Sequence, residues 1–317
     1  MSELAIELDG QYRALREDAG FARRERAWIS VNGKDAAEYL QGQLTNDIEA
    51  LEPGDGAYSA LLDRKGRMQA DMRVLRLDAD EILVECEPEA LAASSRHLQM
   101  YSVGRDVEVV PLEDSLGEIA ISGPAAASLT GLPPLGSENN HARAELDGIS
   151  ARVVRTLAGL DLIGSSEHLA ALAGALAARG IAEVTEDALE IIRVESGRPR
   201  FGREMTQETI PQEAGINERA VSFTKGCYIG QETVARLHYK GKPNRHIRGL
   251  RLEAATRAGA AVALGERELG KVGTAVLSPA LGPIALAILR REASVGDEVV
   301  VGGEIAAEVV DLPFRSE

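Results

Sequence analysis

The sequence is poor in residues that bind metals or form cross-links. Only two of its 317 residues are cysteines, Cys86 and Cys227, and two distant cysteines cannot form the disulfide framework of a small secreted domain. A closed structural zinc site needs four ligands, and an iron–sulfur cluster normally needs four cysteine thiolates. The chain alone therefore cannot supply the thiolates for either group. Its five histidines also show no HxH or HxxxH spacing, so we predict no metal site.

Aromatic residues and positive charges are scarce too. Phe, Trp and Tyr make up 3% of the chain, and 35 Lys and Arg stand against 50 Asp and Glu, which gives a net charge of −15. This composition argues against nucleic acid as a partner, because such proteins rely on basic surfaces and aromatic stacking. No uncharged run reaches the length of a membrane span, and the N-terminus has no apolar signal-peptide core. We expect a cytoplasmic protein with no membrane partner.

The patterning of the first 240 residues predicts an α+β fold. Residues 57–63 and 68–77 flank a glycine-containing turn and predict a β-hairpin. Pro88 marks the start of a helix that is expected to run to about Tyr101. Thr185 is typical of the cap of a further helix.

After Lys242 and Pro243 the pattern changes to short strand-like runs separated by Gly, Ser and Asp. Such spacing predicts a small antiparallel barrel or sandwich. The length of the chain also exceeds what a single small core normally supports. We therefore predict two regions, an α+β region at 1–240 and a β-barrel domain at 241–317. The runs predicted as strands are 246–253, 261–264, 272–277, 284–289, 298–301 and 305–310.

Residues 225–232, Lys-Gly-Cys-Tyr-Ile-Gly-Gln-Glu, gather the most chemically reactive residue types. Cysteine is often a small buried hydrophobe, but Cys227 has Lys225 two residues before it and glycines on both sides. A lysine this close favours the thiolate, which is the form that attacks and binds metals. We predict that Cys227 is a reactive or cluster-sharing thiol and that Lys225 activates it. Cys86, in a predicted strand, is expected to pack in the core.

Glu195 is a second candidate, near the end of a predicted helix. It is either a solvated glutamate paired with Arg193 or Arg198, or an acceptor for the N–H groups of a flat heterocycle, and the local residues favour neither interpretation.

Residues 233–250 contain no Asp or Glu. This basic strip is either a solvated hairpin or an anion-binding surface for a carboxylate or nucleic acid, and its few aromatics favour the small anion. Its basic residues are Arg236, His238, Lys240, Lys242, Arg245, His246 and Arg248.

KGCYIGQE resembles the signature segment of the YgfZ family, folate-binding proteins that act in iron–sulfur cluster assembly and repair. The resemblance extends through residues 190–245 and, upstream, through LQGQLTND and AYSALLDRKGRMQADMRVL. This family is related to the glycine-cleavage aminomethyltransferase. The resemblance implies three domains in a ring around a folate-binding opening, the last a small β-barrel, with residues 1–240 forming two interleaved subdomains.

The resemblance also implies a cofactor, partners and site residues. Tetrahydrofolate is the implied cofactor, and iron–sulfur assembly or client proteins are the implied transient partners. The relatives carry paired aspartates where this chain has Ala70 and Asp71, which places aminomethyl transfer in question because a missing acid–base group typically costs about 10²–10⁴ in rate. A folate-dependent one-carbon transferase, such as an aminomethyltransferase or a demethylase, therefore stays as the alternative. The implied reactive residues are Cys227 and Lys225, and the implied folate contacts are Glu195, Asp71, Tyr228, Gln231, Glu232 and Arg236.

Overall fold

The computed structural model describes residues 3–132 and 134–315. The helices in this part of the chain are α1 (Glu3–Glu17), α2 (Ala36–Gln43), α3 (Leu91–Tyr101), α4 (Ala126–Thr130), α5 (Leu169–Ala178), α6 (Glu186–Glu195), α7 (Asn217–Ala220) and α8 (Gln231–Lys240), with short 3₁₀ turns at Pro88–Ala90 and Ser166–His168. The strands are β1 (Gly20–Arg24), β2 (Ala27–Asn32), β3 (Gly56–Leu62), β4 (Met68–Asp78), β5 (Glu81–Cys86), β6 (Glu108–Pro111), β7 (Leu116–Ser122), β8 (His141–Leu146), β9 (Ile149–Arg155), β10 (Gly159–Ser165), β11 (Ala182–Glu183), β12 (Arg245–Leu252), β13 (Ala261–Leu264), β14 (Arg267–Ser278), β15 (Gly282–Arg290), β16 (Glu298–Val301) and β17 (Ile305–Val310).

These elements form two compact units, neither of which is continuous in sequence. Unit 1 contains Met1–Leu62, Gln69–Leu189 and Ala220–Ile229. Unit 2 contains Asp63–Met68, Glu190–Arg219 and Gly230–Glu317. The domain boundary at residue 240 and the ring of three domains stay predictions.

Unit 1 is built on two sheets. A six-stranded sheet has the order β11-β1-β7-β10-β9-β8, and a five-stranded sheet has the order β3-β4-β5-β2-β6. Phe21, Ile119 and Leu162 of the first sheet pack with Leu172 and Leu176 of α5, all of them buried. The Ala- and Leu-rich sequence of α5 favours a helix, and Gly180 follows it with a left-handed φ of 80°, as expected just after a helix end.

A buried ionic network joins these two sheets. Arg73 on β4 contacts Glu85 on β5, Glu118 on β7 and Asp161 on β10. Burial raises the pKa of Glu118 above its ordinary value, and the nearby Asp161 and Glu85 add to the shift. Arg73 is therefore a counter-charge that the three buried carboxylates share, while Glu85 also pairs with Arg26 and Glu118 with Arg24.

Unit 2 contains the closed barrel β12-β15-β14-β13-β16-β17. Its strand pairs are antiparallel, and β17 closes the barrel by pairing with β12. Alternate residues such as Leu250, Val272 and Leu289 fill the interior, which explains the period-2 pattern of the sequence. The structure confirms the barrel and the six predicted strands.

Several local predictions for residues 1–240 hold and one needs correction. The hairpin, the helix that ends at Tyr101 and the helix that follows Thr185 are all present, and Thr185 Oγ1 accepts the N–H of Ala188. The helical spacing of residues 34–51, interrupted by Gly42, predicts one broken helix or two short ones, and only the first part is helical, because α2 ends at Gln43. Thr45 there donates its backbone N–H to the carbonyl of Ala60, so pairing with β3 replaces the helix.

Candidate functional site

The first candidate group is a buried carboxylate on β4. Asp71 is 8% exposed, and the neighbouring Ala70 is fully buried. Tyr58 on β3 donates its hydroxyl to Asp71 Oδ2 at 2.9 Å. Among the described residues Asp71 Oδ1 has no hydrogen-bond partner, although it is buried. A buried acceptor of this kind costs about 1–3 kcal/mol, so the site has capacity for one more donor.

Burial also sets the protonation of Asp71. Desolvation raises the pKa of its carboxyl group to about 6, while the charge of Arg26 opposes the shift and that of Glu87 adds to it. Arg26 cannot cancel the effect, because it pairs with Glu85 and Glu87. Asp71 can therefore gain or lose a proton near neutral pH, as acid–base groups do.

The second group is the signature segment, which is held against the end of α2. Lys225 Nζ donates to the carbonyls of Gln41, Leu44 and Asn46 at 2.7, 2.8 and 2.6 Å. Three further backbone or side-chain bonds join residues 220–229 to residues 42–45. Six hydrogen bonds thus fix the backbone on both sides of Cys227.

Cys227 is exposed on this segment, whereas Cys86 is buried as predicted from its strand. Burial raises the pKa of Cys86 to about 12. Lys225 is partly buried, and desolvation lowers the pKa of its ammonium to about 8. Because that ammonium donates to three carbonyls, Lys225 positions the segment, and its activation of Cys227 stays a prediction. Tyr228 is buried, with Lys225 Nζ 5.2 Å from the centre of its ring.

Glu195 lies in unit 2 and is not a solvated glutamate. It is 3% exposed at the end of α6, and Ser278 donates its hydroxyl to Glu195 Oε1. Arg193 pairs instead with Glu190 and Glu204. A carboxylate buried at a helix C-terminus is unfavourable there, and Ser278 offsets part of the cost.

The basic strip is a helix followed by a strand, so the alternative of a solvated hairpin does not hold. Gln231, Glu232 and Arg236 all lie on α8, with Gln231 partly buried and the other two exposed. Only Val234 is fully buried among the α8 residues, which explains why no apolar stripe revealed the helix. On β12, Arg245 forms a bidentate salt bridge with Glu213, so the charge of Arg245 is already balanced.

The predicted residues fall in different parts of the structure. Asp71, Lys225, Cys227 and Tyr228 belong to unit 1, whereas Glu195, Gln231, Glu232 and Arg236 belong to unit 2. Within unit 1, the described hydrogen bonds of Asp71 do not reach the signature segment. Sequence reasoning missed Tyr58, Arg26 and Ser278. Alternation along the predicted hairpin could have placed Tyr58 beside Asp71, but no local pattern indicates Arg26 or Ser278.

The described residues contain no group of three His, Cys, Asp or Glu side chains placed to hold a metal ion. Within the same part of the chain, no helix has the length and apolar character of a membrane span.

Comparison with known proteins identifies the family. Residues 8–225 match the model of the GCVT N-terminal domain, and residues 245–315 match that of the glycine cleavage T-protein C-terminal barrel domain. The crystal structure of glycine cleavage system aminomethyltransferase T from Bartonella henselae superposes with a TM-score of 0.86 at 25% identity, covering 98% of this chain and 90% of that one.

Curated relatives agree over nearly the whole length. An aminomethyltransferase from Exiguobacterium sibiricum is 30% identical over 99% of this chain and 91% of the relative. One from Streptomyces coelicolor is 29% identical over 96% and 88%, respectively. With its C-terminal barrel and matches to both domain models, the chain belongs to the glycine cleavage T-protein family and has the aminomethyltransferase-like fold.

Proposed function

We propose that the protein binds tetrahydrofolate and that Asp71 contacts the folate heterocycle. The observation that carries this proposal is the buried Oδ1 of Asp71, which has no hydrogen-bond partner among the described residues. The pterin ring carries N–H donors, and a carboxylate accepts them in strong, charge-assisted bonds. The site thus fits the cofactor that the family implies.

The chain's own groups define what Asp71 can do in such a site. When bound, tetrahydrofolate supplies nitrogen atoms that carry one-carbon units. Tyr58 holds Oδ2 and leaves Oδ1 to accept a donor. With a pKa of about 6, Asp71 is mostly ionised at pH 7 and can still exchange a proton. Glu195, Tyr228, Gln231, Glu232 and Arg236 stay predicted folate contacts on the strength of the resemblance.

We further propose that Cys227 serves iron–sulfur cluster assembly or repair. The support is an exposed thiol on a segment that Lys225 holds in place. One cysteine supplies one ligand, whereas clusters normally take four. A transient assembly or client protein would have to provide the rest, which makes the role that of an accessory protein.

The second candidate is a folate-dependent one-carbon transferase. Its support is the similarity to curated aminomethyltransferases together with a carboxyl group that titrates near neutral pH. Ala70 counts against it, because the residue beside Asp71 lacks the carboxylate that the resemblance leads us to expect in a transferase.

Calorimetry with tetrahydrofolate tests binding, and Asp71→Asn tests the site. We expect Asp71→Asn to weaken binding by about tenfold or more, since a hydrogen bond to a charged group contributes about 1.5–3 kcal/mol. Asp78→Asn, an exposed aspartate on the same strand, is the matched control. Absence of binding at millimolar folate would exclude the proposal.

A turnover assay separates the two candidate roles. The protein is incubated with tetrahydrofolate and an aminomethylated carrier protein, and methylenetetrahydrofolate is measured. Turnover at enzymatic rates assigns the transferase, whereas binding without turnover supports the accessory role.

A further inference from the structure

A cavity of about 280 Å³ lies between the two sheets of unit 1, at the small end of the range for ligand pockets. Leu77 lines it, six residues beyond Asp71 on β4, and six residues of an extended strand span about 20 Å. The cavity is therefore separate from the site proposed for the folate heterocycle. We call it the rim cavity; the residues that define it are Leu83, Leu112, Leu116, Arg143, Arg152 and Ile163.

One side of the rim cavity is an apolar wall. Leu83 and Ile163 are buried members of the core between the two sheets, and Leu112 and Leu116 pack against that core half-buried. An aliphatic chain placed on this wall would leave water. Each methylene group buried in this way tightens binding by about fourfold.

The other side carries two arginines next to each other. Arg143 on β8 is the cross-strand partner of Arg152 on β9, and Arg152 is also the partner of Ile163 on β10. Directly paired residues of antiparallel strands project to the same face, so both guanidinium groups adjoin the apolar wall. Like charges in this arrangement are unfavourable, and burial together with the charge of Arg143 lowers the pKa of Arg152.

These two cations lack a full set of counter-charges. Among the described residues neither guanidinium has a carboxylate within salt-bridge distance, and the exposed Glu81 attracts Arg152 only from farther away. Arg152 donates to Nδ1 of His141 at 2.7 Å. Burial and the charge of Arg152 lower the pKa of His141 to about 4, so this partner is neutral at pH 7.

The rim cavity also contains a hydroxyl group with unused capacity. Ser165 on β10 lines it, and its Oγ is buried without a hydrogen-bond partner among the described residues. A buried polar group of this kind is unfavourable until it finds a partner. A ligand with an oxygen acceptor would supply one.

We propose that the rim cavity binds a small aliphatic monocarboxylate, with its carboxylate on Arg143 and Arg152 and its chain on the apolar wall. A guanidinium donates two parallel N–H groups to a carboxylate, and such charge-assisted bonds are among the strongest hydrogen bonds. The anion would also reduce the repulsion between the two arginines. Inorganic phosphate fits less well, because it would leave the apolar wall uncovered. This inference goes beyond folate binding and does not rest on it.

The test is calorimetry with propionate, butanoate, pentanoate and hexanoate at constant ionic strength. Each added methylene should tighten binding by about fourfold, because it is buried on the apolar wall. Arg143→Gln should weaken hexanoate binding by about tenfold or more, since it removes a charged donor. The matched control is Arg23→Gln, an equally exposed arginine on β1 of the same sheet, which should bind hexanoate like the unmodified protein.

Each other outcome overturns the proposal. Absence of binding at millimolar hexanoate would exclude the site, and binding that Arg143→Gln leaves unchanged would place the ligand elsewhere. Equal weakening in Arg23→Gln would show a general charge effect. Equal affinity for all four acids, or displacement of hexanoate by the same concentration of inorganic phosphate, would show an anion site without an apolar part. Displacement of hexanoate by saturating tetrahydrofolate would assign the cavity to folate.

Discussion

Burial governs two groups that lie side by side in unit 1. Cys86 on β5 pairs with Met72 on β4, next to Asp71. Desolvation raises the pKa of Asp71 to about 6 and that of Cys86 to about 12. The same low-polarity environment makes the carboxylate responsive near neutral pH and the thiol inert.

Asp71 should make stability depend on pH in a defined direction. Because its pKa is higher in the folded than in the unfolded protein, its stabilising effect is present at low pH and is lost as pH rises through about 6. The difference from the ordinary value corresponds to about 3 kcal/mol. Between pH 4.5 and 8 we therefore expect Asp71→Asn to gain about 2 kcal/mol in unfolding free energy relative to the unmodified protein, because at pH 4.5 the carboxyl group of the unfolded chain is already largely ionised.

Urea denaturation at the two pH values measures this difference. Asp78→Asn, on the exposed end of β4, should follow the unmodified protein. If Asp71→Asn and the unmodified protein differ by the same unfolding free energy at both pH values, the carboxyl group of Asp71 has the same proton affinity in the folded and the unfolded chain.

The two cysteines should differ sharply in reactivity. Cys227 is exposed, whereas Cys86 is fully buried and, with a pKa of about 12, has a thiolate fraction of roughly 10⁻⁴ at pH 8. Mass spectrometry after iodoacetamide treatment should find Cys227 alkylated first and Cys86 only after unfolding. Equal alkylation rates at the two cysteines would show that the native segment does not expose the Cys227 thiol. A second test uses cells that carry Cys227→Ser: full activity of their iron–sulfur enzymes under oxidative stress would contradict the proposed role of Cys227.

At the scale of elements, Lys225 links the signature segment to the end of α2. Helix ends leave carbonyls without partners, and the ammonium of Lys225 satisfies one from Gln41 on α2 and two just beyond the helix. A single side chain therefore stabilises a helix terminus and an otherwise irregular loop.

Lys225→Met should loosen this segment without unfolding the protein. Loss of three hydrogen bonds is expected to lower the local opening free energy by about 2–3 kcal/mol. Hydrogen exchange reports it at the amides of Ser222 and Ile229, which bond to Thr45 and Gly42. Lys240→Met on exposed α8 is the control, and unchanged exchange in Lys225→Met would show that the other bonds suffice.

At the scale of the whole unit, the Arg73 network holds the two sheets of unit 1 together. Trp28, Leu75 and Leu83 of one sheet also pack against Val154 and Ile163 of the other. The apolar contacts provide most of the attraction, since burial of apolar surface is the dominant favourable term. The network provides the specific alignment of β4 with β7 and β10.

Arg73→Met should destabilise unit 1 by about 3–5 kcal/mol, because it removes the counter-charge that three buried carboxylates share. Adding Glu118→Gln should restore part of the loss, since it removes one of those charges. Chemical denaturation of the single and double variants measures both effects. Strictly additive losses would mean that Arg73 and Glu118 do not interact.

Local sequence patterns predicted what depends on neighbours in the chain. The six barrel strands, the hairpin around Gly66 and the helix capped by Thr185 follow from period-2 alternation, turn residues and capping. The sequence patterns did not predict α8, because its Thr, Val, His and Tyr residues favour a helix only weakly and Val234 is its only fully buried residue. The motif around Cys227 indicated the YgfZ family and its relationship to the glycine-cleavage aminomethyltransferase. The matched domain models confirm the wider glycine cleavage T-protein family, and the YgfZ assignment stays a prediction.

Tertiary structure alone decided the chemistry of the candidate site. The pairing of Arg73 with Asp161, the bonds of Lys225 to residues 41–46 and the contact of Ser278 with Glu195 join residues far apart in sequence. Burial of Asp71 and Glu195 likewise depends on which strands and helices cover them. The sequence by itself determined many of the elements through short-range periodicity and the wider family through the motif around Cys227. Proton affinities and hydrogen-bond partners arise only when distant segments exclude water from one another.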